Sequence, residues 1–133
     1  MTQHVAGTAA EIRARVPGVL ETFAYVDEHV LRNGLVDARL KELCFRYLAE
    51  DPEVMDLERF EGAERLALEW THAIAWDSAK ADDALWERLH AEFSEPELVE
   101  LGCAIGFELG QQHWRRTLGL PPRDADVAHD ATD

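Results

Sequence analysis

The 133-residue chain predicts an all-α fold, a single-domain bundle of about six helices. Three observations carry that prediction. Apolar residues recur at helical spacing in several stretches, and no stretch alternates as a strand would. Helix start and stop signals divide the chain at regular intervals. A length of 133 residues with 47% hydrophobic content is enough to bury one real core.

The elements follow in order. A short helix is expected over Thr8 to Val16. Pro17 suits the first turn of a second helix, where its missing N–H costs nothing. Val19, Phe23, Val26 and Val30 then share a face, with Leu20 and Leu31 beside it. Asn33-Gly34 supplies a left-handed stop. Asp37 can cap a third helix whose buried stripe is Leu40, Leu43, Cys44, Tyr47 and Leu48. Asp51-Pro52 ends it, because the residue before proline is pushed out of helical geometry. Residues 51–62 read as a turn or short helical piece anchored by Met55, Leu57 and Phe60.

A fourth helix is expected from Ala63 to Trp76, burying Ala63, Leu66, Ala67, Trp70, Ala73 and Ile74. A fifth begins near Asp82-Asp83, acids that favour the positive helix start, and buries Leu85, Leu89 and Phe93. Ser94-Glu95-Pro96-Glu97 is a capping box with proline in the first turn. It opens a long last helix that runs to Leu118 and stops at Gly119. Residues 1–7 read as a flexible N-terminus, 8–120 as the helical domain and 121–133 as a disordered acidic tail.

The last helix predicts two apolar faces. Leu98, Leu101, Ile105 and Leu109 form one, and Val99, Cys103, Phe107, Trp114 and Leu118 the other. Such a helix is expected among others or across a subunit interface. Gly102, Gly106 and Gly110 run between the faces. Each costs about 0.5–1 kcal/mol relative to Ala, so close approach of another helix backbone or the floor of a ligand pocket is expected there. His113 lies at the end of this lane.

A formal charge of −14 and a pI near 4.7 disfavour nucleic acid and anionic membranes as partners. No apolar run approaches the ~20 residues of a membrane span. Met1 to Gly7 has neither a basic n-region nor an apolar h-region, and Cys44 and Cys103 do not read as a disulfide framework. A cytoplasmic protein is expected.

Gly34-Leu35-Val36-Asp37-Ala38-Arg39-Leu40-Lys41-Glu42-Leu43 resembles the entry to the core helices of the carboxymuconolactone decarboxylase and alkylhydroperoxidase D-like superfamily. Ala63 to Thr71 and Asp82 to Leu101 resemble its later segments, so the likeness spans roughly Val19 to Leu120. It implies a helical bundle assembled as a homo-oligomer, with Glu42 at the position of the catalytic acid. In redox-active members that Glu precedes a Cys-x-x-Cys and a His. Here the corresponding positions are Val54, Leu57 and Glu61, so the thiol centre is missing.

The candidate catalytic residues are therefore Glu42 and His113. The plain alternative for Glu42 is a helix pair with Arg46, worth about 0.3–0.5 kcal/mol. His113 would need a positioned partner to act as acid or base, with Gln112, Arg116 or a residue across a subunit seam as candidates. Cys44 and Cys103 fall on apolar faces, where thiols behave as small hydrophobes. Glu69-x-x-His72 and Glu87-x-x-His90 have di-iron spacing but point away from the apolar stripes, so no metal or other cofactor is expected. Three functions compete: a small-molecule-binding or acid–base-acting oligomer, a peroxidase of the family's thiol type, and a catalytically silent interaction oligomer.

Overall fold

The computed structural model describes residues 2–124, and all regular structure among them is helical. Helix α1 (Ala9–Ala14) starts at Thr8, which accepts from the Glu11 amide while Glu11 returns a carboxylate to the Thr8 amide. Helix α2 (Pro17–Val26) carries proline in its first turn and runs directly into a π-helical turn, Asp27–Leu31. There the Arg32 amide donates to the Asp27 carbonyl, five residues back.

The apolar stripe of α2 is the main departure from expectation. No residue of α2 is buried, and Val19 and Leu20 are 48% and 39% exposed. The helix lies at the edge, against α1 and its own π turn. Only Phe23, Val26 and Val30 reach the domain, half-buried, and the widened turn brings Leu31 fully inward.

After the π turn, Asn33 ties back to the Glu28 carbonyl at 2.7 Å. Gly34 has φ +124°, and a Cβ there would run into the Glu100 carboxylate. Both the backbone conformation and the close approach demand glycine. Helix α3 (Ala38–Leu48) begins with Asp37 accepting from the Arg39 amide and buries Lys41, Cys44, Phe45, Tyr47 and Leu48. Leu40 and Leu43, expected in the core, are half-buried. The helix ends at Leu48, before Asp51-Pro52, and the chain turns through Glu50 at φ 61°. Val54 is the buried anchor of the following loop, which includes a short 3-10 turn, Leu57–Arg59.

Helix α4 (Gly62–Trp76) is the centre of the bundle, packed on α3, α5 and α6. It buries Leu66, Ala67, Leu68, Trp70, Thr71 and Ala73. Helix α5 (Asp83–Glu92) is capped by Asp82 through the Leu85 amide and buries Leu85 and Leu89, with Phe93 just beyond. Helix α6 (Glu95–Thr117) opens with the expected capping box of Ser94 and Glu97. It stops at Leu118, and Gly119 follows at φ 83°.

Only one face of α6 is buried within the chain, through Leu98, Leu101, Ala104, Ile105, Gln112 and Arg115. Val99 and Cys103, expected on a second apolar face, are exposed, while Phe107, Trp114 and Leu118 are half-buried. Residues 2–7 and 121–124 are tied down more than their composition suggests. The His4 amide donates to the Leu118 carbonyl at 2.8 Å. Residues 121–124 of the expected acidic tail dock on α3 and α6 through Arg123 and Asp124, and residues 125–133 lie outside the described residues.

Candidate functional site

Two polar centres stand out. The first lies between the end of α3 and the middle of α4, where the Tyr47 hydroxyl and His72 Nδ1 are 2.9 Å apart. Tyr47 sits on the core stripe of α3 and is 3% exposed, so its hydroxyl has to find a partner across the packing seam. Trp76, one turn after His72, closes the cluster, with ring centroids 5.4 Å from His72 and 5.7 Å from Tyr47.

The pair opens onto a cavity of about 470 Å³. Met55, Leu57 and Leu85 give it apolar walls, and Glu69, Asp82, Lys80 and Arg88 give it charge of both signs. Arg88 is bound to Glu69 at 2.9 Å, while Lys80 forms no ion pair among the described residues. Burial pushes the Tyr47 phenol above its ordinary value, so it remains a hydrogen-bond donor through the neutral range. When that hydroxyl donates to Nδ1, the neutral imidazole carries its proton on Nε2. Sequence reasoning weighed His72 as a metal ligand with Glu69 and otherwise as a surface residue. The missed signal was the tyrosine on a core stripe, whose hydroxyl needed a partner.

The second centre surrounds Glu42. The expected Glu42–Arg46 pair does not form, because Arg46 holds Asp51 at 2.8 Å and Glu53 at 2.9 Å in the loop after α3. Glu42 instead receives both terminal nitrogens of Arg123, at 2.6 and 2.8 Å. Arg123 is 81 positions away in sequence, beyond the reach of any helical spacing rule. On the far side of the guanidinium lies Glu108, whose Oε2 is 3.8 Å from Arg123 Nε. Gln112 Nε2 donates to Glu108 at 2.9 Å and to the Phe45 carbonyl at 3.0 Å. Burial pushes the Glu108 carboxyl up, against the opposing pull of the Gln112 hydrogen bond and the Arg123 charge.

His113 is exposed, and its side chain makes no hydrogen bond among the described residues. It shares no partner with Glu42, so the two sequence candidates do not form one site. Both cysteines are free thiols, Cys44 buried and Cys103 exposed. Burial pushes the Cys44 thiol up to about 12, despite a hydrogen bond with Thr71. The positions that would carry the family's thiols hold Val54, buried at 1% exposure, and half-buried Leu57; Glu61 is exposed.

Of the glycine lane, only Gly102 has a neighbour. Its Cβ would lie 2.9 Å from Trp70 Cη2, so an indole makes the close approach, where a helix backbone or a pocket floor was expected; Gly102 also lines a second cavity of about 470 Å³ with Trp70, Trp86, His90 and Leu98. Gly106 and Gly110 face open space.

No three His, Cys, Asp or Glu residues converge as metal ligands among the described residues, and none of their helices is long and apolar enough to cross a membrane. No family model, curated protein or solved structure matches the chain.

Proposed function

We propose that the protein is a homo-oligomer on a carboxymuconolactone decarboxylase-like scaffold, without a thiol redox centre, that binds a small organic acid and acts on it by acid–base chemistry. The observation that carries this reading is the Tyr47–His72 pair, 2.9 Å apart on the wall of the 470 Å³ cavity. An imidazole oriented through one nitrogen presents the other for proton transfer. Lys80 supplies a cation for an acidic substrate group, and Met55, Leu57 and Leu85 supply surface for its apolar body. Glu42, with both oxygens engaged by Arg123, is a poorer proton carrier than His72. The order of elements from Gly34 to the capping box of α6 supports the scaffold assignment.

The oligomer rests on the outer face of α6. Val99, Cys103, Gly106, Gly110, His113 and Thr117 are all exposed there, at alternating spacings of four and three that suit a helix–helix seam. Val16, Val19 and Leu20, at 54%, 48% and 39% exposure, are further exposed apolar side chains at the start of α2. The thiol peroxidase reading lacks a paired thiol centre, since Cys44 is buried in the core and exposed Cys103 has no second thiol beside it.

The test is a panel of short carboxylates and lactones, scored by thermal shift and by the His72 imidazole resonances. At least one compound should stabilise the wild type and move those resonances, and His72→Gln should abolish both effects with the fold intact. Turnover of that compound should be lost in His72→Gln and kept in Glu42→Gln and His113→Asn. If no compound binds, the same α6 seam favours a second reading, a silent interaction oligomer. Light scattering on the purified protein tests the seam directly, and a monomer at ~10 μM would remove it.

A further inference from the structure

The cavity of about 470 Å³ between α4, α5 and the first half of α6 is separate from both polar centres and has an aromatic corner. The indoles of Trp70 on α4 and Trp86 on α5 meet with centroids 5.4 Å apart and planes at 69°. The His90 imidazole, one turn after Trp86, adds a third ring, 5.7 Å from that indole and tilted by 36°. Leu98 and Gly102 of α6 complete the wall, and the missing side chain of Gly102 lets the Trp70 ring come close to the α6 backbone. Trp86 is only half-buried, so part of its ring surface is free to meet a ligand.

The electrostatics of the lining have one sign. It contains no lysine or arginine, and its single carboxylate is Glu95. Glu97, not Glu95, closes the cap on Ser94, and the Glu95 side chain has no ion pair or hydrogen bond among the described residues. The Tyr47–His72 cavity differs, because Arg88 neutralises Glu69 there. Indole faces carry negative potential, and a cation held over one gains about 0.5–2 kcal/mol. An anion would be repelled by the ring faces and by Glu95 alike. A bare ammonium is strongly hydrated and matches apolar walls poorly. A methylated ammonium carries its charge under an apolar surface, which suits two indoles and a leucine.

We propose that the cavity lined by Trp70, Trp86, His90 and Leu98 binds a small quaternary ammonium compound, its methyl groups against the indoles and its charge balanced by Glu95. This inference is independent of the Tyr47–His72 cavity, and every residue it uses comes from α4, α5 and α6 of one chain. Val99 and Cys103 form the rim towards the outer face of α6.

The test is calorimetry on the full chain at about pH 8, above the ordinary imidazole range. Choline chloride is the probe, sodium chloride at equal ionic strength the control, and dimethylbutanol the uncharged carbon isostere of choline. Choline should saturate at one per chain and bind at least about tenfold more tightly than the alcohol. Trp86→Leu, which keeps an apolar wall and removes the ring, should weaken choline at least about tenfold, and Glu95→Gln about threefold. Bound choline should also slow maleimide labelling of Cys103 on the rim, a readout that serves if Trp86→Leu does not fold. No saturable binding, equal binding of the alcohol, wild-type affinity in both variants, or an unchanged Cys103 labelling rate overturns the proposal. Co-sedimentation with phosphatidylcholine vesicles, or tenfold tighter binding of a trimethyllysine peptide, would reassign the cation to a lipid or a partner protein and overturn the small-molecule assignment.

Discussion

Lys41 Nζ and Glu100 Oε2 lie 3.0 Å apart, with the lysine fully enclosed. The ammonium also donates to the carbonyls of Val30 at 2.6 Å and Asn33 at 2.9 Å, and Glu100 accepts from the Leu35 and Val36 amides. One ion pair therefore fixes the entire turn between the π-helical segment and α3. Removing one partner of such a pair leaves the other charge stranded. Lys41→Met should destabilise the protein by about 3–5 kcal/mol in urea unfolding. A loss below 1 kcal/mol would show that the turn is held by other means.

The same pair sets one limit on acid stability. Burial works against the ionised Glu100, but the Val36 and Leu35 amides and Lys41 outweigh it and hold the carboxyl below its ordinary value of 4.5. Its contribution is complete above that pH and is lost as pH falls through the lower folded-state value. Glu108 works in the opposite sense. Its raised value means that the folded state prefers the protonated form, so its ionisation subtracts stability as pH rises. Glu108→Gln should raise the melting temperature by a few degrees at pH 7, and the gain should vanish below about pH 4, where the wild-type carboxyl is protonated. A gain that persists at acid pH would contradict the burial argument.

The glycines of α6 should separate into two classes. Gly102→Ala places a Cβ 2.9 Å from the buried Trp70 indole and should destabilise the fold. Gly106→Ala and Gly110→Ala meet nothing within the chain and should each add about 0.5–1 kcal/mol to an isolated subunit. If α6 packs against a second copy, those two substitutions should instead weaken association, measured as a concentration-dependent melting temperature.

The two thiols should react very unequally. Cys103 is exposed, while Cys44 is enclosed and held near 12, so an aromatic disulfide reagent should label one thiol per native chain and two in denaturant. Two labels on the native protein would mean that the core around Cys44 opens readily.

Much of the local architecture was legible from short-range signals. Thr8 with Glu11, Asp37, Asp82, and Ser94 with Glu97 all start helices where their side chains predict. Leu85, Leu89 and Phe93 are buried as their spacing requires. What periodicity could not provide was depth. The stripe of α2 has the right spacing for burial, yet the helix sits at the edge and leaves Val19 and Leu20 in the open.

The sites were legible only in part. Glu42 was singled out by resemblance, but its partner Arg123 comes from a stretch whose composition reads as disordered. His72 and Tyr47 meet across two helices 25 positions apart, and no single-helix pattern announces such a contact. Composition and spacing speak for one element at a time, whereas both centres are made by pairs of elements.

The π-helical turn at Asp27–Leu31 has a further consequence. A turn of this kind holds one residue more than the α-helix around it, and single-residue insertions into helices are absorbed in this way. Deleting Glu28 should therefore convert the segment to ordinary α-helix and leave the Asn33-Gly34 turn in place. In an alignment of this chain with its evolutionary cousins, a one-position gap is expected to fall between Asp27 and Leu31.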